Sequence, residues 1–456
     1  MIFIILCILL SLFGLVLFPE IYAAIAFGTT LAIGFQLFMK SHVSFMFREW
    51  TLFLYASNYL LSPAITYQLN AQTVTYAMKI PFEQYFNMAF PGFIMFALGM
   101  FIIPNNLFKP DFNNINQATI INERFLIQIT IAGIFLRIFS GIFPGELSFF
   151  MYLVSMIRFV GVFSLFAMNY KRFTWLALLI LIIELYYGFQ AGMYHDAIMW
   201  VIFYALFYVY TVKPKLQIKF FGAASLILLV LFIQAVKFTY REQVWRGGES
   251  ANIETITEVG IKKANTESLI GDDNLLGTLN RGNQAWIFAS TVNRMDRFKD
   301  FQGMTNVNKY LEAALLPRFL APNKLKSGGE SGREIFNEFS GHTLNEGTSM
   351  GLGIFADGYI AYGAWGVYIF GFMLGLIFSL TFKLVERWSK ISPIYVLLLL
   401  PMLNYAVRPD CELQTTINHL AKSILVFGAM VYFTKNRFTL DSAVAKRKLL
   451  HLNLMK

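Results

Sequence analysis

The sequence is short of charge and of cysteine, and both shortages narrow the classes of protein it can encode. Only 14% of the 456 residues are Asp, Glu, Lys or Arg, whereas 57% are hydrophobic. A soluble domain usually carries about 25% charged residues, so this composition excludes an ordinary water-soluble protein. The two cysteines, Cys7 and Cys411, lie far apart and show no metal-ligand spacing. We therefore expect no disulfide, no bound metal and no cofactor.

Sequence signatures of many soluble enzymes are also missing. We find no nucleophile elbow, no zinc-binding helix motif and no nucleotide-binding fingerprint. The net charge of +10 comes from short loops and the C-terminal tail, as membrane insertion requires, so it does not indicate a nucleic-acid partner. The N-terminus has no cationic lead-in before its first apolar run, so we predict an uncleaved first span.

Long apolar runs are what the chain does have. Most are long enough for a tilted helix to cross about 30 Å of hydrocarbon, and they lack the alternation of a membrane β-barrel. They predict an all-α polytopic membrane protein with about twelve transmembrane helices, at residues 2–18, 21–39, 50–67, 88–103, 125–143, 147–168, 173–190, 193–211, 217–237, 351–382, 393–407 and 418–434. The glycines within 351–382 also allow a short re-entrant piece followed by a span.

The positions of Lys and Arg predict how these spans are oriented. Alternate short loops carry basic residues, which favours a cytoplasmic location for those loops and for both termini. One large extracytoplasmic loop of short helices then separates spans 9 and 10. The predicted domains are an N-terminal bundle (1–237), the extracytoplasmic loop domain (238–350), and a C-terminal bundle with a basic tail (351–456).

Ionisable residues inside the predicted spans lie at mid-depth or nearer the outer face. Each costs roughly 2.5–3.5 kcal/mol at the centre of a helix even on a lenient insertion scale, so such residues usually mark a functional site. This pattern favours a site at the outer leaflet, although residues near the surface could instead extend their charged ends into water. The set is Arg137, Arg158, Glu184, His195, Asp196, Lys237, Asp357, Arg408, His419 and Lys422.

The second half of the large loop mixes arginines with aromatic residues. Guanidinium groups bind diphosphate through paired donors, and aromatic rings stack on the C–H faces of sugars. An amphipathic segment lying on the membrane is the alternative interpretation. Further along, Glu334, Glu338 and His342 recur every fourth residue, which would place them on one face of a short helix. That face offers candidate bases, or simply a solvated surface.

Several strings in this region resemble one known family. The strings are Arg281-Gly-Asn-Gln-Ala-Trp, Phe301-Gln-Gly303, Pro317-Arg318-Phe-Leu-Ala-Pro322-Asn-Lys324 and Gly353-Ile-Phe-Ala-Asp357-Gly-Tyr359-Ile-Ala-Tyr-Gly363-Ala-Trp-Gly366. Together they resemble the outer loop and the re-entering segment of bacterial O-antigen and capsule repeat-unit polymerases of the Wzy type. The chain departs from that pattern at Ala321, where family members often carry Trp.

The resemblance implies a metal-independent glycosyltransferase in the bacterial cytoplasmic membrane. Its donor and acceptor would be undecaprenyl-diphosphate-linked oligosaccharides, and a chain-length regulator is a possible partner. The residues expected to bind diphosphate are Arg137, Arg158, Lys237, Arg281, Arg318 and Lys324. Sugar stacking would fall to Trp286, Tyr310 and Phe319, and the base would be Glu338, His342 or Asp357.

Three rival functions remain open at this point. A flippase for the lipid-linked unit would need alternating access and polar lining in the inner half of the membrane, where this chain has little. A ligase of the same superfamily would differ mainly in its acceptor. An outer-leaflet acyltransferase is the third.

Overall fold

The structure is a computed structural model, and it describes residues 2–69, 76–143, 145–190, 195–241, 253–263, 271–298, 300–316, 320–325, 330–344 and 350–438. These residues form helices, with no β-strand among them. The α-helices are α1 (Ile2–Leu17), α2 (Ile21–Lys40), α3 (Phe47–Ala56), α4 (Ser62–Gln68), α5 (Phe82–Phe101), α6 (Phe112–Phe139), α7 (Gly145–Ser155), α8 (Ile157–Met168), α9 (Tyr170–Gln190), α10 (His195–Val212), α11 (Leu216–Arg241), α12 (Ile253–Lys263), α13 (Asp272–Arg281), α14 (Ala285–Phe298), α15 (Thr305–Leu315), α16 (Glu330–Ser340), α17 (Ile354–Ser389), α18 (Leu399–Leu403) and α19 (Leu413–Phe438).

Each apolar run identified in the sequence coincides with helical structure. The run at 50–67 is continuous because a π-helical turn, Ser57–Leu61, joins α3 to α4. The run at 147–168 is divided into α7 and α8 at Met156. The run at 393–407 begins as a 3-10 helix, Pro393–Leu398, and continues as α18. The all-helical prediction is therefore confirmed.

Among the residues that the structure describes, six helices are long and apolar enough to cross a membrane. They are Ile21–Lys40, Asn113–Ile142, Leu147–Met168, Leu216–Val236, Ile354–Ile391 and Leu413–Phe438. Their outward surfaces carry large apolar side chains, such as Phe221, Trp365 and Phe433, which are 69%, 74% and 78% exposed. Surfaces of this kind are solvated by acyl chains rather than by water. The chain is a membrane protein.

Contacts divide the chain into two compact units. Unit 1 comprises Met1–Phe93 and Leu181–Asp300, and unit 2 comprises Ile94–Ile180 and Phe301–Lys456. This division follows packing, whereas the three domains proposed from the sequence follow position relative to a membrane. Those three domains stay a prediction.

Unit 1 is held together by close contacts between small residues and by a buried helix, α14, from the segment predicted to be the outer loop. Helices α1 and α2 touch where Gly28 meets the backbone of Ser11, leaving no room for a side chain at that glycine. Nine residues of α14 are buried, and just before it the amide of Asn283 donates to the hydroxyl of Thr66 at 3.0 Å. Part of the segment assigned to the outer loop thus forms the core of this unit.

Unit 2 contains the longest helices and the features discussed below. Helix α6 begins at Asp111, whose carboxylate accepts the backbone N–H of Asn113 at 2.9 Å, as a helix N-cap does. It packs closely on α8 because Gly161 lets the side chain of Thr130 approach the α8 backbone. The apolar 3-10 segment Pro393–Leu398 lies buried in the same unit.

Candidate functional site

Helix α17 is broken near its start, and the chain folds back there. At Tyr362 (φ −143°, ψ 26°) and Gly363 (φ 61°, ψ −145°) the backbone leaves the helical conformation. A Cβ on Gly358 would lie 2.5 Å from the carbonyl oxygen of Gly366. Residues eight apart in a straight helix are separated by about 12 Å, so this contact requires a sharp reversal. A short helix, 354–361, therefore packs antiparallel against the start of the long part of α17.

The loop 301–303 closes the end of this short helix. The last carbonyl groups of a helix have no partner within it. Here the N–H of Gln302 donates to the carbonyl of Ile360 at 2.9 Å, and that of Gly303 donates to Ala361 at 3.0 Å. The ring of Phe301 lies against the break itself. The segments 301–303 and 353–366, both of which resemble segments of the Wzy-type polymerases, are thus in direct contact.

Asp357 lies in the middle of the short helix and is 4% exposed. Its Oδ2 accepts the backbone N–H of Leu413, the first residue of α19, at 2.7 Å. A helix N-terminus has unpaired N–H groups and a partial positive charge, so the carboxylate caps α19 from another helix. Its Oδ1 is buried and has no hydrogen-bond partner among the described residues. One oxygen is structural, and the other is left to accept a proton.

Tyr310 and Glu412 complete a cluster of acidic groups around Asp357. Tyr310 of α15 is 2% exposed, and its hydroxyl interacts with the Asp357 carboxylate. Burial, together with the negative charges of Asp357 and Glu412, raises the pKa of the Tyr310 phenol. Burial also raises the pKa of Glu412, and Asp410 adds to the rise. We call Asp357, Tyr310 and Glu412 the acidic cluster.

Two narrow clefts flank the acidic cluster. One lies between α15 and the short helix, where Asn306 and Tyr310 face Asp357 and Phe370. The other is lined by Tyr310, Asp357, Glu412 and residues of the 332–352 segment. Neither admits more than about one water molecule, so a sugar can reach Asp357 only after one wall moves.

Basic side chains gather around α7 on aromatic rings. The guanidinium carbon of Arg137 lies 5.3 Å from the ring centroid of Tyr152. The Nζ of Lys422 lies 5.1 Å from the ring centroid of Phe149, and the two rings are 6.4 Å apart. Rings attract cations through their negative faces, so α7 holds charges from α6 and α19 side by side.

Arg158 joins the same group from α8. It is 1% exposed, and its Nη1 donates to the hydroxyl of Ser155, the last residue of α7, at 2.7 Å. A Cβ on Gly133 would lie 2.7 Å from the Cβ of Arg158, so the glycine makes room for this residue. Gly133 is one turn from Arg137 on α6, which places both arginines along one face. We call Arg137, Arg158 and Lys422 the basic cluster.

Lys324 holds the C-terminus of α15. Its Nζ donates to the carbonyl groups of Leu316 at 2.7 Å and Ala313 at 3.2 Å. A cation at this end of a helix is favourable because the carbonyl groups there lack partners and carry partial negative charge. In this structure Lys324 therefore positions the helix that carries Tyr310, and its diphosphate role stays a prediction.

We predicted that Glu334, Glu338 and His342 lie on one face of a short helix, and this prediction is wrong for His342. Helix α16 ends at Ser340, and Gly341 has φ 70°, the left-handed conformation that terminates many helices. His342 follows this turn and is outside the helix. Glu338 is exposed on α16.

The remaining predicted residues lie in unit 1 or outside the described residues. Trp286 is 4% exposed, with its ring edge-on to Tyr76 at 5.2 Å between centroids, and it offers no open face to a sugar. Arg281 is the last residue of α13, and Lys237 lies near the end of α11. Arg318 and Phe319 lie outside the described residues.

Metal ligands are not grouped in the described part of the chain: no three or more His, Cys, Asp or Glu side chains there could hold one ion.

Comparison with known families gives one match. Residues 22–389 match the family described as Domain of unknown function (DUF8712). The chain belongs to this family. The matched range contains Asp357, Tyr310, Arg137 and Arg158, and it ends before α19. No curated protein matches the chain. No solved structure matches it either.

Three residues outside the matched range of the family were not assigned a role from the sequence. Glu412 directly precedes α19, a position where acidic residues are favoured, and this could have drawn attention to it. Lys422 was noted only as a charge within a span. His419, one turn earlier on α19, is 2% exposed, is stacked on Tyr405 at 5.5 Å and meets Phe149 edge-on at 6.1 Å. The proximity of Lys422 and His419 to α7 depends on tertiary packing.

Proposed function

We propose that the chain is a glycosyltransferase that joins undecaprenyl-diphosphate-linked oligosaccharide repeat units at the outer leaflet of the bacterial cytoplasmic membrane. In this proposal the chain crosses the membrane twelve times, both termini are cytoplasmic, and the residues between α11 and α17 are extracytoplasmic. The observation that carries it is the buried carboxylate of Asp357. One of its oxygens is buried beside Tyr310 without a hydrogen-bond partner of regular geometry in the described part of the chain, at the junction of two sequence segments that resemble the Wzy-type polymerases.

Asp357 is the general base in this proposal, in preference to Glu338 and His342. The acceptor hydroxyl attacks the anomeric carbon of the donor, a new C–O bond forms, and the bond to the lipid diphosphate breaks. The hydroxyl proton passes to Oδ1 of Asp357. Leu413 fixes the carboxylate by its bond to Oδ2, so the base is held in place before substrate arrives.

The basic cluster is suited to the leaving group. Negative charge builds on the diphosphate as the glycosidic bond breaks, and fixed guanidinium and ammonium groups in a poorly hydrated site stabilise it. Arg158 is almost fully buried, and rings of α7 hold the other two cations. The diphosphate-binding roles of Arg281, Arg318 and Lys237 stay predictions from the sequence. No step in this scheme routes through a metal.

The proposal is tested by comparing three substitutions in cells that depend on this chain for surface polysaccharide. Asp357→Asn keeps an oxygen that can accept from Leu413 but cannot take up the proton. We expect it to reduce polymer formation by on the order of 10²-fold or more, while single repeat units persist. Glu338→Gln and His342→Gln are the controls and should leave the chain-length ladder unchanged. A normal ladder in Asp357→Asn, with loss in either control, would assign the base elsewhere.

The same cells distinguish the rival functions. A polymerase defect leaves the lipid-linked unit on the outer side as single units. Accumulation on the inner side would instead identify a flippase. Normal polymer that is not attached to its final lipid would identify a ligase.

A further inference from the structure

We propose that helix α15 enters the outer leaflet of the membrane and that its C-terminal leucines contact lipid acyl chains. These leucines are Leu315, Leu316 and Leu320, which we call the leucine end. The sequence places this helix in the extracytoplasmic loop. The insertion concerns only how the chain lies in the bilayer, so it holds whether or not the chain transfers sugars.

The direction of α15 follows from its contacts along the short helix. Just before α15, Gly303 bonds to Ala361 at the break. Two turns into α15, Tyr310 lies beside Asp357, which precedes Ala361 by about one turn. The helix therefore runs antiparallel to 354–361 and in the same sense as the long part of α17. It leads from the break toward the interior of the bilayer.

The depth of α15 follows from the start of α19. Leu413 is the first residue of a candidate membrane span, and its N–H is bonded to Asp357. Asp357 and Tyr310 thus lie at the outer boundary of that span. Leu315 is five residues beyond Tyr310, or about 7.5 Å further along the helix. This places the leucine end just inside the outer boundary of the span, where headgroups meet acyl chains.

The exposure of the leucine end supports a lipid neighbour. Leu315, Leu316 and Leu320 are 62%, 41% and 63% exposed in the described structure. On the adjacent long part of α17, Ile369 and Met373 are also exposed, at 46% and 40%, along the face of a candidate span. The leucine end continues this lipid-facing surface.

The carbonyl groups at the end of α15 are compatible with this location. A helix terminus in hydrocarbon must have its polar backbone groups satisfied by protein. Lys324 does so for Leu316 and Ala313, and its ammonium group lies at this end of α15, which suits the boundary between headgroups and acyl chains rather than the bilayer centre. Lys309 and Glu312 are exposed on α15, Glu312 in its last turn, so this end of the helix lies close to the headgroup level.

Spin labels on the full-length protein in lipid vesicles test the insertion. Cys7 and Cys411 are first replaced by Ser, and single cysteines are introduced as Leu315→Cys and Leu320→Cys. Collisions with molecular oxygen report lipid, and collisions with a water-soluble nickel chelate report water. Ile369→Cys provides the lipid reference, and Lys309→Cys provides a control on α15 itself.

We expect the oxygen-to-nickel collision ratio at the leucine end to match that at Ile369 and to exceed that at Lys309 several-fold. A ratio at both leucine positions equal to that at Lys309 would overturn the proposal. Leu316→Cys replaces either leucine variant if that variant does not run as a monodisperse protein. These measurements do not depend on polymer formation, so they stand apart from the test of Asp357.

Discussion

Adding a single methyl group at Gly358 tests the fold-back that creates the candidate site. In Gly358→Ala, the new Cβ would lie 2.5 Å from the Gly366 carbonyl oxygen, about 0.9 Å short of ordinary contact at 3.4 Å. The neighbouring atoms at 2.7 Å and 3.0 Å are also backbone, so no flexible side chain can move aside. Overpacking of this kind costs about 1–3 kcal/mol. For a unit of a few hundred residues, this lowers the Tm by on the order of 2–10 °C.

The matched control is Gly332→Ala. Gly332 is within α16 in the same unit, and a Cβ there would meet nothing within 4 Å. This substitution should stabilise the protein by up to about 1 kcal/mol, because alanine favours helix more than glycine does. Thermal unfolding of both variants in the same detergent or nanodisc gives the comparison. If Gly358→Ala unfolds at or above the wild-type temperature, Gly358 and Gly366 are not in contact and the break at Gly363 is wrong.

Two further substitutions test the groups around α15. Lys324→Met removes a cation that bonds to Leu316 and Ala313, so we expect a loss of about 1 kcal/mol in unfolding free energy. Lys309→Met, on the exposed face of α15, is the control and should change the Tm little. If the two substitutions lower the Tm equally, Lys324 does not cap α15. Glu412 has a raised pKa in the folded state, so the stability that it contributes is present below its ordinary pKa of 4.5 and is lost as pH rises through the folded value. Glu412→Gln should therefore raise the Tm at pH 7.5 and leave it nearly unchanged at pH 4. An equal change in Tm at both pH values would contradict a raised pKa for Glu412 in the folded state.

The positions of the helices could be predicted from the sequence because apolar length and the lack of alternation are local properties. Every apolar run coincides with helix, including the run at 351–382, where glycines indicated a short piece followed by a longer one. The number of membrane crossings is a different matter. Within the described ranges, six helices meet the requirements of length and hydropathy, and the twelve crossings stay a prediction.

The candidate site could be predicted only in part, because burial and helix ends depend on tertiary contacts. Asp357 and Tyr310 were chosen for different roles, as base and as sugar platform, and the structure places them side by side with the tyrosine buried. His342 was placed on a helix by its spacing alone, but Gly341 ends that helix first. Lys324 was interpreted as an anion ligand, whereas it holds a helix terminus here.

The bond between Asp357 and Leu413 determines which part of the site can open. It ties the middle of the short helix to α19, while Gln302 and Gly303 tie the end of that helix to the loop before α15. Anchored in this way, the short helix is a poor hinge, and α15 packs along α19. Widening of the second cleft beside Asp357 therefore depends on its other wall, which includes Gly332 and Ile335 of α16. An entering substrate would meet a carboxylate held in place by Leu413 and would approach it from α16.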